Sequence, residues 1–65
     1  MISILEETPT GMQKEGQPLC RRLYLAGDKR DHLPTDAAPG SLALVRSDNG
    51  VCVKILFPDG LWEEL

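Results

Sequence analysis

The sequence predicts an all-β fold, a small antiparallel β-meander or barrel-like sheet with an irregular N-terminal half. Apolar residues alternate in several short runs, and turn signals that contain Gly or Pro separate these runs. No stretch shows the i, i+3, i+4, i+7 apolar spacing of an amphipathic helix. We therefore expect one small β domain over residues 1–65.

The N-terminal half begins with one short strand and then loses its pattern. Residues 2–5, "ISIL", suit a strand that Thr8, Pro9 and Gly11 are expected to end. Glycines and a proline interrupt the chain that follows, so we predict a flexible loop or arm over residues 8–18. We expect such a segment to become ordered on a partner or not at all.

The next predicted strand, over residues 19–26, carries an arginine on each face. Alternation places Arg21 on one side with leucines and Arg22 on the other side with Tyr24. Because neither face is purely apolar, we predict that this strand lies at a sheet edge or at a surface shared with another chain. The segment 28–33 has room for one helical turn at most.

The C-terminal half predicts three antiparallel strands joined by tight turns. Asn49 and Gly50 both tolerate a positive φ, so we predict a two-residue type I′ hairpin between the strands "LALVRS" and "VCVKILF". "PDG", residues 58–60, reverses the chain again before a short last strand. One face of the middle strand is entirely apolar and is assigned to the core: Val51, Val53, Ile55 and Phe57.

Size and residue content restrict how the chain is stabilised. A 65-residue chain has little core, and such chains depend on disulfides, metals or partner subunits. Cys20 and Cys52 are expected to be reduced, small apolar residues, and His32 has no second histidine with which to hold a metal. We therefore predict no metal and no cofactor, and a partner subunit as the source of further stability.

The charge distribution disfavours nucleic acid and suggests neighbouring subunits. The net charge is −3, which argues against binding to a phosphate backbone. Basic residues concentrate between positions 12 and 30, and acidic residues lie near both ends. These two regions can complement one another between subunits, or they can be solvated charges that keep the protein soluble.

No residue pattern indicates catalysis. The cysteines and His32 come without a third orienting group, and the carboxylates of Glu6-Glu7 and of Glu63-Glu64 point to opposite faces of their strands. No phosphate-binding glycine motif is present. We predict no catalytic residues and no enzyme activity.

The N-terminus lacks the positive region of a signal peptide, and no apolar run has the length of about 20 residues that a membrane span needs. We therefore expect a protein made in the cytoplasm that binds no membrane.

Trp62 has three interpretations, and one of them, the stacking of a sugar or peptide on Trp62 and Tyr24, has no further polar residues to support it. Its indole can cover one side of the meander against Cys52, Lys54 and Leu56. Alternatively, Trp62 and Tyr24 form an exposed protein-binding anchor with the stems of Arg21 or Arg22, since these residue types are enriched at interfaces. The candidate protein-contact residues are therefore Arg21, Arg22, Tyr24 and Trp62.

Residues 33–65, "LPTDAAPGSLALVRSDNGVCVKILFPDGLWEEL", resemble the ending of short structural proteins of tailed bacteriophages and prophages. In that family a Pro-rich turn and "GS" or "GT" lead into a strand, a hairpin, "DG-x-W" and a final strand. The resemblance implies a head-fibre-like, decoration or tail-associated protein, made in the bacterial cytoplasm and carried into the virion. Its partners would be itself or other virion proteins. The alternative is a small bacterial regulatory or ligand-binding module.

Overall fold

The computed structural model describes all of residues 1–65 and contains five strands and no helix. The strands are β1 (Ile2–Lys14), β2 (Gln17–Ala26), β3 (Leu42–Ser47), β4 (Gly50–Leu56) and β5 (Trp62–Glu64). They form one sheet in the order β1-β2-β3-β4-β5. No helix of the chain is long and apolar enough to span a membrane.

The predicted all-β fold is confirmed, with a different sheet topology. β2 and β3 run parallel, whereas the other three neighbouring pairs run antiparallel, so the sheet is mixed. β1 and β5 do not pair with each other, and the sheet is therefore open rather than closed into a barrel. β2 lies between β1 and β3, so the first of its two predicted positions, a sheet edge, is wrong, and the second, a surface shared with another chain, stays a prediction.

β1 continues beyond the point where the sequence predicts its end. The ladder between β1 and β2 shifts register after Pro9, where Gly11 has a φ of 79°. Thr10 Oγ1 donates a hydrogen bond of 2.6 Å to the Leu19 carbonyl, so the extra residues form a bulge within the strand. The prediction of a loop over residues 8–18 is therefore wrong, because these residues pair in the outer half of a long hairpin.

The type I′ geometry occurs at a turn other than the predicted one. Glu15 and Gly16, between β1 and β2, have φ values of 53° and 79°, and this turn type needs a positive φ at both central residues. Between β3 and β4, Ser47 pairs with Gly50, and of the two predicted turn residues only Gly50 has a positive φ. The predicted hairpin is present, but its type I′ assignment to Asn49-Gly50 is wrong.

The reversal between β4 and β5 forms where the sequence predicts it. Gly60 N donates to the Phe57 carbonyl at 3.0 Å, and Phe57 N donates to the Leu61 carbonyl at 3.0 Å. Gly60 has a φ of 84°, and Asp59 Oδ1 accepts a bond from Leu61 N. Pro58 supplies the fixed φ that suits the first central position of this turn.

Residues 27–41 connect β2 to the parallel strand β3 and cross one face of the sheet; we call them the crossover. The crossover forms no helical turn. Its last residues bond to the sheet on both sides: Ala38 N donates to the Cys20 carbonyl at 2.9 Å, and Gly40 N donates to the Leu56 carbonyl at 2.8 Å. These bonds fix the crossover against β2 and β4.

The core lies between the sheet and the crossover. Its buried side chains are Tyr24, Ala26, Ala37, Ala43, Val45 and Leu56, with Ile2, Leu33 and Trp62 packed against them. On β4 the buried residue is Leu56, at 3% exposure, whereas Val51 is 59% exposed. The assignment of Val51, Val53, Ile55 and Phe57 to the core is therefore wrong, because the crossover covers the opposite face of that strand.

Candidate protein-contact surface

The face of the sheet that the crossover leaves uncovered carries an apolar patch. Strand register places Leu23 beside Leu42 and Ile55 in one row, and Leu25 beside Leu44 and Val53 in the next. None of these side chains is buried, and Leu42 is 37% exposed. We call this surface the open face, and the side under the crossover the covered face. The open face is defined by Leu23, Leu25, Leu42, Leu44, Val53 and Ile55.

Two carboxylates border the open face at its lateral edges. Glu6 on β1 pairs in register with Leu23, and Glu63 on β5 pairs with Ile55. Since paired residues project from the same side of a sheet, each glutamate lies beside one end of an apolar row. The two lateral edges of the open face are therefore acidic.

Two arginines border the same surface at the ends of the strands. Arg21 lies two residues before Leu23 on β2, and Arg46 lies two residues after Leu44 on β3, so alternation places both on the open face. Both are exposed. The ion pairs of the chain involve none of the four bordering charges, Glu6, Arg21, Arg46 and Glu63.

Arg22, the neighbour of Arg21, points to the covered face and is bound within the chain. Its Nε donates to Glu7 Oε2 at 2.7 Å, and its Nη1 donates to the Tyr24 hydroxyl at 3.1 Å. Asp36 Oδ1 lies 3.5 Å from Nη1. The hydrogen bond with Tyr24, followed by that with Glu7, raises the pKa of Arg22 further above its ordinary value. Arg22 therefore joins β1, β2 and the crossover.

The two aromatic residues predicted to contact a partner, Tyr24 and Trp62, pack on the covered face. Tyr24 is 1% exposed, and its ring meets Trp62 edge to face, with centroids 6.0 Å apart and an interplanar angle of 74°. Trp62 Nε1 donates to the Pro34 carbonyl at 2.9 Å, which fastens the crossover. The interpretation of these rings as an exposed anchor is corrected, since Tyr24 is in the core. Among the predicted contact residues, only Arg21 borders the open face.

Sequence reasoning missed the leucines as surface residues, although they carry a signal. Leu42 and Leu44 face one way on β3, and Ala43 and Val45 face the other way, so this strand is apolar on both sides. In a small sheet with one covering segment, only one of two apolar faces can be buried. The second face is then a candidate contact surface.

The remaining reactive groups are dispersed. Cys20 and Cys52 are free, and the Glu64 carboxylate, together with desolvation, raises the pKa of Cys52. A raised pKa keeps this thiol protonated and weakly nucleophilic. His32 lies exposed in the crossover. The chain has no group of three or more His, Cys, Asp or Glu side chains arranged to hold a metal ion.

The largest concavity is polar and charge-compensated. It has a volume of about 420 Å³ and is lined by residues 27–30 and 46–48, none of them hydrophobic. Lys29 Nζ lies 3.9 Å from Asp48 Oδ2, and Arg30 Nη2 lies 3.3 Å from Asp28 Oδ2. Most of its charges therefore have partners within the chain.

No protein-family model matches this chain, and comparisons with curated proteins and with solved structures find no match.

Proposed function

We propose that this protein is a non-enzymatic structural or assembly protein of a phage or prophage virion, acting through protein–protein contacts. The contact part of the proposal rests on one observation, the apolar open face that no segment of the chain covers. The virion part rests on the resemblance of residues 33–65 to the endings of short tailed-phage structural proteins.

The open face has the composition of an interface. Its centre is aliphatic, and charged side chains stand at its border, as in protein interfaces with a dry centre and a polar rim. Burial of apolar surface stabilises a complex by roughly 25 cal/mol per Å² before the costs of association. A partner seated on this face would therefore gain most of its binding energy from the leucines, Val53 and Ile55.

The small core gives an independent reason to expect a partner. Only 8 of the 65 residues are buried, and three of the core side chains are alanines. A domain of this size retains little net stability from its own core. Repeated copies in a particle would cover the open face and the edge strands β1 and β5 together.

The virion assignment is tested in the bacterium that carries the gene. Particles produced after prophage induction are purified on a density gradient, and their proteins are quantified by mass spectrometry. We expect the chain to copurify at a fixed ratio to the major particle proteins and to be missing from particles of a deletion strain. Its absence from wild-type particles, with normal particle yield from the deletion strain, would overturn the proposal.

A further inference from the structure

We propose that the occupant of the open face is a second copy of this chain, packed face to face with its strands crossing near a right angle. This inference rests on the proposed contact function and names its first partner. It is carried by the positions of the four unpaired charges around the patch: Glu6, Glu63, Arg21 and Arg46.

The four bordering charges lie one on each side of the open face, which is approximately square. β1 and β5 are separated by four strand spacings, which puts the Glu6 and Glu63 edges about 19 Å apart. Ala26 pairs with Val45 between parallel strands, so Gly27 is level with Arg46. Arg21 is six residues before that level, which is about 20 Å along the strand. The distance between the two acidic edges is therefore nearly equal to the distance along the strands between the levels of Arg21 and Arg46.

A crossed arrangement places opposite charges over one another. We consider two copies that are related by a two-fold axis in the plane between the two sheets, at about 45° to the strands. This rotation lays the strands of one copy across the strands of the other, so the ends of the strands in one copy lie over the lateral edges of the other. Arg21 then lies above Glu6 of the second copy, and Arg46 lies above Glu63 of the second copy. Symmetry repeats both pairs, so the interface has an ion pair on each of its four sides.

An aligned arrangement places like charges together. When the strands of the two copies run nearly parallel or antiparallel, the two acidic edges lie above acidic edges and the two basic ends lie above basic ends. Like charges brought together disfavour a binding mode, so the bordering residues select the crossed dimer. Orthogonal packing is one of the two common ways in which sheets stack.

The size of the patch sets the expected strength of the dimer. Its footprint, about 20 Å by 19 Å or roughly 380 Å² per copy, is below the roughly 800 Å² per partner of a standard stable interface and is in the range of weak, transient contacts. We therefore expect a dimer that dissociates on dilution, and the association must be measured over a wide concentration range.

Sedimentation velocity of the purified full chain, from micromolar to millimolar concentration, tests the charge pairing. The wild type is expected to change from monomer to dimer over this range. Arg21→Glu and Glu6→Arg should each raise the dissociation constant about tenfold, because each change places two like-charged pairs in the symmetric interface. The double variant R21E/E6R should return it to within about threefold of the wild-type value.

The matched control is the double variant R21E/E63R. It has the same net charge of −3 as R21E/E6R and as the wild type, because each carries one lost and one gained arginine. We expect no rescue from it, since the reversed charges no longer face each other. Near-ultraviolet circular dichroism of Trp62 and Tyr24 verifies that each variant is folded, and Leu44→Lys should abolish association altogether.

A wild type that remains monomeric at millimolar concentration would overturn this inference, as would equal rescue by the two double variants. Association that survives Leu44→Lys would place the interface elsewhere and would also overturn it. These outcomes are separate from the fate of the proposed function. A monomer that is found in particles removes only the dimer, whereas a dimer that is missing from particles removes only the virion assignment.

Discussion

The covered and open faces of one sheet are both apolar, yet only one of them forms the core. The covered face presents the alanines Ala26 and Ala43 beside Tyr24 and Val45, whereas the open face presents leucines at the neighbouring positions of the same strands. Small side chains let the crossover approach the sheet closely, and larger ones keep a backbone away. The size of the side chains that must fit under the connecting segment therefore decides which face of the sheet is buried.

The crossover also supplies polar partners that the open face lacks. Ser41, fully buried, donates from its hydroxyl to the Ala38 carbonyl at 2.7 Å and accepts a bond from Arg22 N at 3.0 Å. Together with the hydrogen bond from Trp62 to Pro34, these contacts hold the crossover against the covered face of the sheet. The open face has no such bonds, so its apolar residues are free to meet another chain.

The largest contrast is expected between two adjacent residues of β4. Leu56→Ala should lower the free energy of unfolding by about 2–5 kcal/mol, because it leaves a cavity in the core. Ile55→Ala, on the open face, should cost about 1 kcal/mol in the monomer, since its side chain is only partly buried. Urea unfolding at micromolar concentration gives both values. Equal losses, or a larger loss at Ile55, would reverse the assignment of the two faces.

The attachment of the crossover is tested at Ser41. Ser41→Ala removes the acceptor of the Arg22 amide and one of the two bonds to the Ala38 carbonyl, which keeps the 3.2 Å bond from Ser41 N; the loss should cost about 1–3 kcal/mol of unfolding free energy. Ser47→Ala is the matched control, because its hydroxyl makes a single exposed bond of 3.2 Å to Gly50. Thermal unfolding of the two variants should separate them by several degrees. Similar melting temperatures would mean that the buried hydroxyl does not hold the crossover.

The tip of the β1–β2 hairpin belongs to neither face and should affect stability alone. Glu15 has a φ of 53°, a left-handed conformation that costs Asn less than Glu because the short amide side chain of Asn can hydrogen-bond locally. Glu15→Asn should therefore stabilise the fold by about 0.5–1 kcal/mol. The same substitution at Gln13, within the strand, is the control and should give no gain.

Self-association should be unchanged in Glu15→Asn. A change in the dissociation constant of the dimer would indicate that the hairpin tip takes part in the contact. It would contradict the expectation that the open face alone mediates self-association.

The smallest expected effect concerns Cys52, which pairs with Val45 in register and interacts with Glu64 at the margin of the covered face. Because the Glu64 carboxylate raises the pKa of this thiol, alkylation at pH 8 should be slower than for an unstructured cysteine peptide. Glu64→Gln should lower the pKa and accelerate alkylation severalfold, and Glu63→Gln should leave it unchanged. A pH–rate profile from mass spectrometry measures both changes. An unaltered profile in Glu64→Gln would remove the carboxylate as the cause.

Local signals allowed part of this fold to be predicted. β3, β4 and β5 and the reversals between them follow from alternation and from glycine-containing turns, which act within a few residues. The length of β1 was missed because Pro9 and Gly11 mark the end of most strands, whereas here they mark a bulge supported by Thr10. Glu15-Gly16 was missed as a type I′ turn because glutamate is rare at positive φ.

The sequence pattern could not predict the features that depend on residues far apart in the chain. The parallel pairing of β2 and β3 depends on the irregular crossover, whose path no periodicity encodes. That path also determines the covered face, so alternation identified Val53 and Ile55 as a uniform apolar set without showing that they face outward. Of the candidate site, the sequence located Arg21 and suggested complementary charges between subunits, but it did not bring the leucines together.

The most direct measurement is a dilution series of methyl NMR spectra of the folded chain. We expect concentration-dependent shifts at the methyl groups of Leu25, Leu44 and Val53 on the open face, and constant positions for Val45 and Leu56 under the crossover. Such a pattern would show that one face is closed by the chain itself and the other by a second copy. Constant open-face positions up to millimolar concentration, or shifts confined to Val45 and Leu56, would contradict this division of the sheet.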